Sequence, residues 1–359
     1  MKVSIQDARP ADVKPRVRRR PWEKTEAHVK PEFEVANSSF WDQSVLSPLR
    51  YPGAKRQLVP LIEELIRTNA LSPPRLLVEP FCGGATTSLR AVGSGAVEHV
   101  VLADANPLVA AFWYTAAFDT GWLVNAMMAE EVTLDRWDWW RAASPKGRRD
   151  RALKCLFLNR TSFSGIIDAH AGALGGRAQT SKYKIDCRFG KDGLATRIRA
   201  IGDLGDTGRI LDVWNCHWRE SLIRTRHRYR ELGEDRILIY LDPPYVEKAD
   251  SLYGWSFDQG QHQQLASALA DADGFNWILS YGDHPTIRAL YENHVGLHRL
   301  LVPHRYTASG GGTRVTKNEL FLTTYRNLPD SERFEMLEPT PRSWQLSPVE
   351  STERRGSKQ

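Results

Sequence analysis

Cysteine is scarce in this chain: four residues, Cys82, Cys155, Cys187 and Cys216, scattered over 359 positions. No CxxC pair and no Cys/His cluster has the spacing of a zinc site, so no structural metal is expected. Reduced thiols in a cytoplasmic compartment are the expected state. No apolar run reaches the length of a membrane span, and the N-terminus lacks the hydrophobic stretch of a signal peptide. The GxGxxG fingerprint of dinucleotide binding is missing, and so is the lysine-bearing loop that cradles ATP phosphates. The ten histidines form no triad-like arrangement, and no internal repeat is visible. These absences remove membrane proteins, zinc modules, nucleotide hydrolases and triad hydrolases from the field.

The chain does carry an ordinary globular balance, 41% hydrophobic and 26% charged, with a formal net charge of +6. That suits one large α/β domain with an insertion, or two domains. The basic excess suits a nucleic-acid partner. Residues 1–45 read as a disordered basic arm, with Arg16, Arg18, Arg19 and Arg20 between Pro15 and Pro21. From residue 46 the pattern becomes globular. Leu58, Leu61, Ile62, Leu65 and Ile66 recur at helical spacing, and Leu76–Val78 is a short apolar run of the kind found in buried parallel strands. A Gly-Gly turn, a helix and the strand-like stretch 97–103 follow. A helix then opens with Asn106 as N-cap and Pro107 in its first turn. This order predicts a doubly wound sheet. The first part of the main domain spans 46–149, and 150–235 reads as an insertion rich in glycine and basic residues. The sheet resumes over 236–328, with strands at 237–241, 277–280, 297–302 and 319–324. The polar segment 329–359 reads as a disordered tail.

Three places carry chemistry. Asp242-Pro243-Pro244-Tyr245 directly follows an apolar strand. In doubly wound sheets ligands sit beyond such strand ends. The Asp242 carboxylate and the Pro243 carbonyl are two acceptors on a backbone stiffened by proline. Aimed at the two hydrogens of an aromatic amine such as adenine N6, they would draw its nitrogen toward tetrahedral geometry and free its lone pair. Tyr245 offers a face on which a base can stack. The second place is Glu79-Pro80-Phe81-Cys82-Gly83-Gly84-Ala85, whose glycines allow a ligand close to the backbone, with Asp104 at the end of the next strand to hold ribose hydroxyls. The third is Arg50-Tyr51-Pro52-Gly53-Ala54-Lys55 before a helix, where Lys55 could bind a carboxylate and Tyr51 could pack on an adenine ring. Taken alone, the first is equally compatible with a plain turn, and the second and third read more readily as plain turns. The tryptophans of Asp135–Trp140 read as helix packing, and His284 as a loop or cap residue.

Taken in order, RYPGAK, LVEPFCGGA, VLADANPL, LFLNRTSFSG, YLDPPY, SYGDHPTIRALY and TKNELFLT resemble the Dam-type (D12 class) DNA N6-adenine methyltransferases over about 46–325. The resemblance implies a Rossmann-like methyltransferase sheet with an inserted, mainly helical target-recognition domain. It implies S-adenosyl-L-methionine as cofactor, contacted by Tyr51, Lys55, Glu79, Phe81, Gly83, Asp104 and Asp242. It implies catalysis by Asp242, Pro243 and Tyr245 on an adenine flipped out of double-stranded DNA, without metal. DNA would be met by the insertion through Asn159, Arg160, Phe163 and Gly165, joined by the basic Lys182 and Arg188. A monomer is the default, and a cognate restriction enzyme, encoded elsewhere, is a conceivable partner. Two departures stand out. Gly53-Ala54 replaces the family's Gly-Gly, and Ile166–His170 differs from the text of GATC readers. N4-cytosine methylation of DNA and N6-adenine methylation of RNA use the same amine chemistry. A non-catalytic DNA-binding module of the same fold is the rival of another class, against which Lys55, Asp104, Asp242 and Tyr245 stand intact.

Overall fold

The computed structural model describes residues 47–50, 58–69, 74–167, 171–245, 257–270, 274–306 and 315–337, all within the unit Asn37–Gln359. The basic arm 1–45 lies outside them, as do Tyr51 and Lys55.

Helix α1 (Val59–Thr68) leads into strand β1 (Leu76–Glu79), then α2 (Thr86–Gly93), β2 (His99–Asp104) and α3 (Pro107–Phe118). Four more helices follow: α4 (Thr120–Ala129), α5 (Leu134–Ala142), α6 (Arg148–Thr161) and α7 (Lys191–Asp206). The chain then runs through β3 (Ile210–Asn215), α8 (Trp218–Tyr229), β4 (Ile237–Leu241), α9 (Gln259–Ala270), β5 (Asn276–Gly282) and α10 (Pro285–Tyr291). Strands β6 (His298–Tyr306), β7 (Val315–Thr323) and β8 (Glu335–Met336) complete the described elements.

The sheet order is β3-β2-β1-β4-β5-β7-β6-β8. Strands β1 to β5 are parallel; β7 enters antiparallel between β5 and β6. The expected doubly wound α/β sheet is therefore present. Its direction of winding reverses between β1 and β4, which pair directly. Every residue of β1 and β4 is buried. Helices cover both faces of a parallel centre, so these strands need apolar side chains on both sides. That is why they read as unbroken apolar runs rather than alternating ones.

Helix α3 is buried on most of its circumference, from Val109 through Ala117. It lies between the sheet strands β2 and β3 on one side and the helices α6 and α7 on the other. Its start is the cap read from the sequence: the Asn106 side chain accepts from Leu108 N at 2.9 Å, with Pro107 in the first turn.

Two expected boundaries are corrected. The insertion does not run to 235, because Ile210–Asn215 pairs with β2 at the sheet edge and α8 is the crossover that leads to β4. Strand β3 has no regular alternation of buried and exposed positions, and it lies among basic and glycine-rich neighbours, which hid it. Helices α3–α7 lie between β2 and β3, with a largely non-helical stretch between α6 and α7 among the described residues, and α6 and α7 pack on α3 rather than standing apart. The tail does not become irregular at 329 either. Glu335–Met336 adds a short strand to β6, and Arg333 Nε bonds Glu64 Oε1 on α1 at 3.1 Å.

Candidate active site

The carboxyl ends of β1, β2 and β4 meet where the winding reverses, and each supplies an acid. Glu79 ends β1, Asp104 ends β2, and Asp242 follows β4. Glu79 is 3% exposed and accepts a short hydrogen bond from Ser88 Oγ. Burial, with the Asp242 and Asp104 charges adding to it, pushes the Glu79 carboxyl up to about 8. It is thus a neutral carboxyl at pH 7. Asp104 is raised to about 6, again by burial, against the pull of the backbone N–H groups of Asn106 and Gly83. Those two groups donate to its carboxylate at 2.8 and 2.9 Å.

The turn after β1 is tied to its surroundings at both polar atoms of Gly83. Its N–H donates to Asp104, and its carbonyl accepts from Trp113 Nε1 on α3 at 2.8 Å. Gly83 sits at φ 40°, a left-handed conformation that a side chain disfavours. Ala85 holds φ 48° despite its β-carbon, immediately before α2. A non-glycine residue there costs on the order of 1 kcal/mol, which is the kind of local strain that the rest of a fold must hold in place.

Beyond β4, Asp242 is half-buried, and its Oδ1 accepts from Ser280 Oγ on β5 at 3.1 Å. Ser280 Oγ also lies 3.0 Å from the hydroxyl of Tyr240. Burial raises that phenol well above its ordinary value, so it keeps its proton. The proton order therefore runs from Tyr240 to Ser280 to the Asp242 carboxylate. Pro243 is buried beside it. The Tyr245 hydroxyl donates to Glu319 Oε2 on β7 at 2.6 Å. The Tyr245 ring lies 6.2 Å from that of Tyr281. A buried aromatic row continues from there. His262 Nδ1 is 2.8 Å from the Tyr281 hydroxyl, His262 meets Phe257 edge-on at 4.7 Å, and Phe257 meets Phe81 of the Gly turn at 5.7 Å. Burial lowers the His262 imidazole to about 4, so it is neutral.

Glu79, Phe81, Gly83, Asp104, Asp242, Pro243 and Tyr245 thus lie at or just after the carboxyl ends of β1, β2 and β4. Asn159 and Arg160 have a different place from the DNA contacts expected of them. Both are buried, at 1% and 7% exposure. Asn159 Oδ1 accepts from Arg50 N at 2.7 Å, and its Nδ2 donates to the Arg50 and Gly165 carbonyls. Arg160 Nε donates to the Pro48 carbonyl at 2.6 Å. They hold 48–50, the residues just before the Tyr51–Lys55 stretch, against the end of α6. Gly165 is part of the same lock. Phe163 is 65% exposed, and Lys182 and Arg188 are exposed as well. The Arg188 guanidinium stands 6.0 Å over the Tyr183 ring, and its charge helps burial to lower the Arg50 guanidinium. Of the Asp135–Trp140 tryptophans, Trp137 and Trp140 are buried as expected; Trp139 is half exposed, under the Arg136 guanidinium at 4.2 Å.

Sequence reasoning missed Ser280, Glu319 and Trp113 as parts of this site. Ser280 and Glu319 stood in the quoted segments SYGDHPTIRALY and TKNELFLT, the one signal that could have found them.

Residues 51–173 match the family model described as D12 class N6 adenine-specific DNA methyltransferase. That match bears out the resemblance read from the motifs. Among solved structures, the chain is similar to the rRNA methyltransferase aviRa from Streptomyces viridochromogenes, at 13% identity and a TM-score of 0.33. The similarity covers 81% of this chain and 94% of that one; at this level it bears on no individual residue. No curated protein matches the chain.

Proposed function

Because the chain carries a D12 class methyltransferase segment at residues 51–173, we propose that it transfers a methyl group from S-adenosyl-L-methionine to the N6 amine of adenine in double-stranded DNA. The observation that carries this reading is the strand-tip carboxylate of Asp242. Ser280 fixes its Oδ1, and it stands beside two further acids at the point where the sheet reverses.

The donor set fits the cofactor. Asp104 is a carboxylate acceptor at the end of β2, suited to ribose hydroxyls. The Gly83 turn lets a ligand approach the backbone. The carboxylates of Asp104 and Asp242 suit a sulfonium cation, which would supply an electrophilic methyl when bound. Tyr51 and Lys55 belong to the same proposed set. The protein's own part is to bind, extrude and hold the base. Basic side chains, Lys182 and Arg188 among them, meet phosphates, so affinity falls with salt. The adenine leaves the stack, since its N6 cannot be attacked within the duplex. Tyr245 stacks on it while Asp242 and the Pro243 carbonyl accept from its two N–H bonds. The nitrogen lone pair is then released toward the methyl. With S-adenosyl-L-methionine bound, its sulfonium would supply the methyl carbon for the new C–N bond and keep the electrons of the broken C–S bond, and the methylated amine would give one proton to solvent without a strong base. Geometry and electrostatic preorganisation do this work.

The test is Asp242→Ala. Transfer of labelled methyl to unmethylated plasmid should fall by at least ~10²–10³-fold, the scale of losing one preorganised acceptor, while DNA binding stays near wild type. Full activity in that variant would overturn the mechanism. Expression in a methylation-free host, followed by modified-base sequencing, should show N6-methyladenine at one motif; N4-methylcytosine instead would move the assignment to the other base.

A further inference from the structure

The segment TKNELFLT places a carboxylate where a sheet would ordinarily carry an apolar side chain. Glu319 lies in β7, between β5 and β6, and is 0% exposed. Burying a carboxylate is costly unless it is partnered. One partner is the hydroxyl of Tyr245, whose proton points at Glu319 Oε2 over 2.6 Å. The cross-strand neighbour of Glu319 in the ladder between β5 and β7 is Gly282. A β-carbon on Gly282 would lie 3.0 Å from Cδ2 and 3.2 Å from Cε2 of Tyr245, so the ring occupies the space that the missing side chain leaves. Gly282 has no left-handed φ, and its identity is explained by that contact rather than by backbone conformation. One register pair thus supplies a floor for the ring and an anchor for its hydroxyl.

We propose that the Gly282–Glu319 pair is a seat that sets the plane of Tyr245, making both of them positioning residues for the stacking face that receives the extruded base. The proposal rests on the methyltransferase reading above. An aromatic side chain free to turn about its two side-chain torsions would have to be ordered at each capture of a base. A ring held at its floor and at its hydroxyl is ordered beforehand. Glu319 acts through Tyr245 and touches no reacting atom in this scheme.

The experiment is a double-mutant cycle on the full chain, with unmethylated plasmid DNA and labelled S-adenosyl-L-methionine. Tyr245→Phe keeps the ring and removes the hydroxyl. Glu319→Ala removes the anchor, and Glu319→Gln keeps a carbonyl that can accept. Gly282→Ala puts a methyl group into the floor. We expect Tyr245→Phe, Glu319→Ala and Gly282→Ala each to lower kcat/KM for DNA about 3- to 10-fold, with cofactor affinity by calorimetry unchanged. Glu319→Gln should recover most of the loss. The Tyr245→Phe/Glu319→Ala double variant should be no worse than its poorer parent, because both changes break one interaction. Multiplied losses in the double variant, or wild-type kcat/KM in Tyr245→Phe and Gly282→Ala, would overturn the seat. Those two variants also decide the matter if Glu319→Ala fails to fold. A wild-type chain that transfers no methyl group would sink the functional reading and the seat with it, whereas an active wild type with unaffected variants sinks the seat alone.

Discussion

Glu79 shows how one residue couples the site to stability. Its carboxyl is buried at the end of β1 and held up to about 8, chiefly by burial and then by the charges of Asp242 and Asp104. The unfolded chain releases this proton near the ordinary carboxylate value of 4.5. Between those two pH values the folded state therefore holds a proton that the unfolded state has lost. The sign follows directly: the contribution is fully present below about 4.5 and is lost as pH rises through about 8. The slope for one such group is at most ~1.4 kcal/mol per pH unit. Glu79→Gln keeps the size and stays neutral. Denaturant unfolding from pH 5 to 8 should show wild type losing stability against Glu79→Gln by a few kcal/mol in total; parallel pH profiles would contradict the buried neutral acid.

At the scale of elements, the end of α6 and the loop after it form a lock on the stretch 48–50. Asn159 clasps Arg50 on both its N–H and its carbonyl, which is the pairing a neighbouring strand would provide. The loop closes on itself through Phe163 N to the Gly172 carbonyl and Leu174 N to the Thr161 carbonyl. Gly165 makes the approach possible. Its φ is +77°, and a β-carbon there would stand 2.3 Å from the Arg50 carbonyl oxygen. Gly165→Ala should cost at least ~2 kcal/mol, since it combines left-handed strain with overpacking against backbone. Gly172→Ala is the control, because a β-carbon there would meet nothing within 4 Å. Urea midpoints that move equally for both variants would contradict the lock. Phe163, 65% exposed, stands at this loop with its N–H bonded to the Gly172 carbonyl at 2.9 Å.

At the scale of the whole molecule, the sheet ties together segments far apart in sequence. The last described strand, β8, is two residues long, yet it bonds the edge of β6 through Leu337 N to the Arg299 carbonyl. Arg333 reaches Glu64 on α1, and Asn69 exchanges hydrogen bonds with Asn327. The C-terminal segment thus straps the helix that follows the Tyr51–Lys55 stretch. Chains ending at Leu328 and at Leu337 should differ measurably, the shorter melting about 2–4 °C lower for each kcal/mol lost. Equal melting temperatures would show that the strap adds nothing.

By itself the amino-acid order determined the parts governed by local physics. Apolar runs set β1 and β4, and Asn106-Pro107 set the start of α3. The short distance from strand to turn placed Glu79, Gly83, Asp104 and Asp242 at strand ends. Those signals are contiguous, so a linear reading captures them. Strand β3 escaped because its buried and part-buried positions follow no two-residue period, and β8 because two residues carry no period. Asn159 and Arg160 were expected at the DNA because the family resemblance placed its recognition signature there; only the fold shows them turned inward onto backbone more than a hundred residues earlier. The pairing of Gly282 with Glu319, with the Tyr245 ring resting on the first and bonded to the second, was likewise decided by tertiary structure alone. Cross-strand register is a relation between distant segments, and no local spacing encodes it.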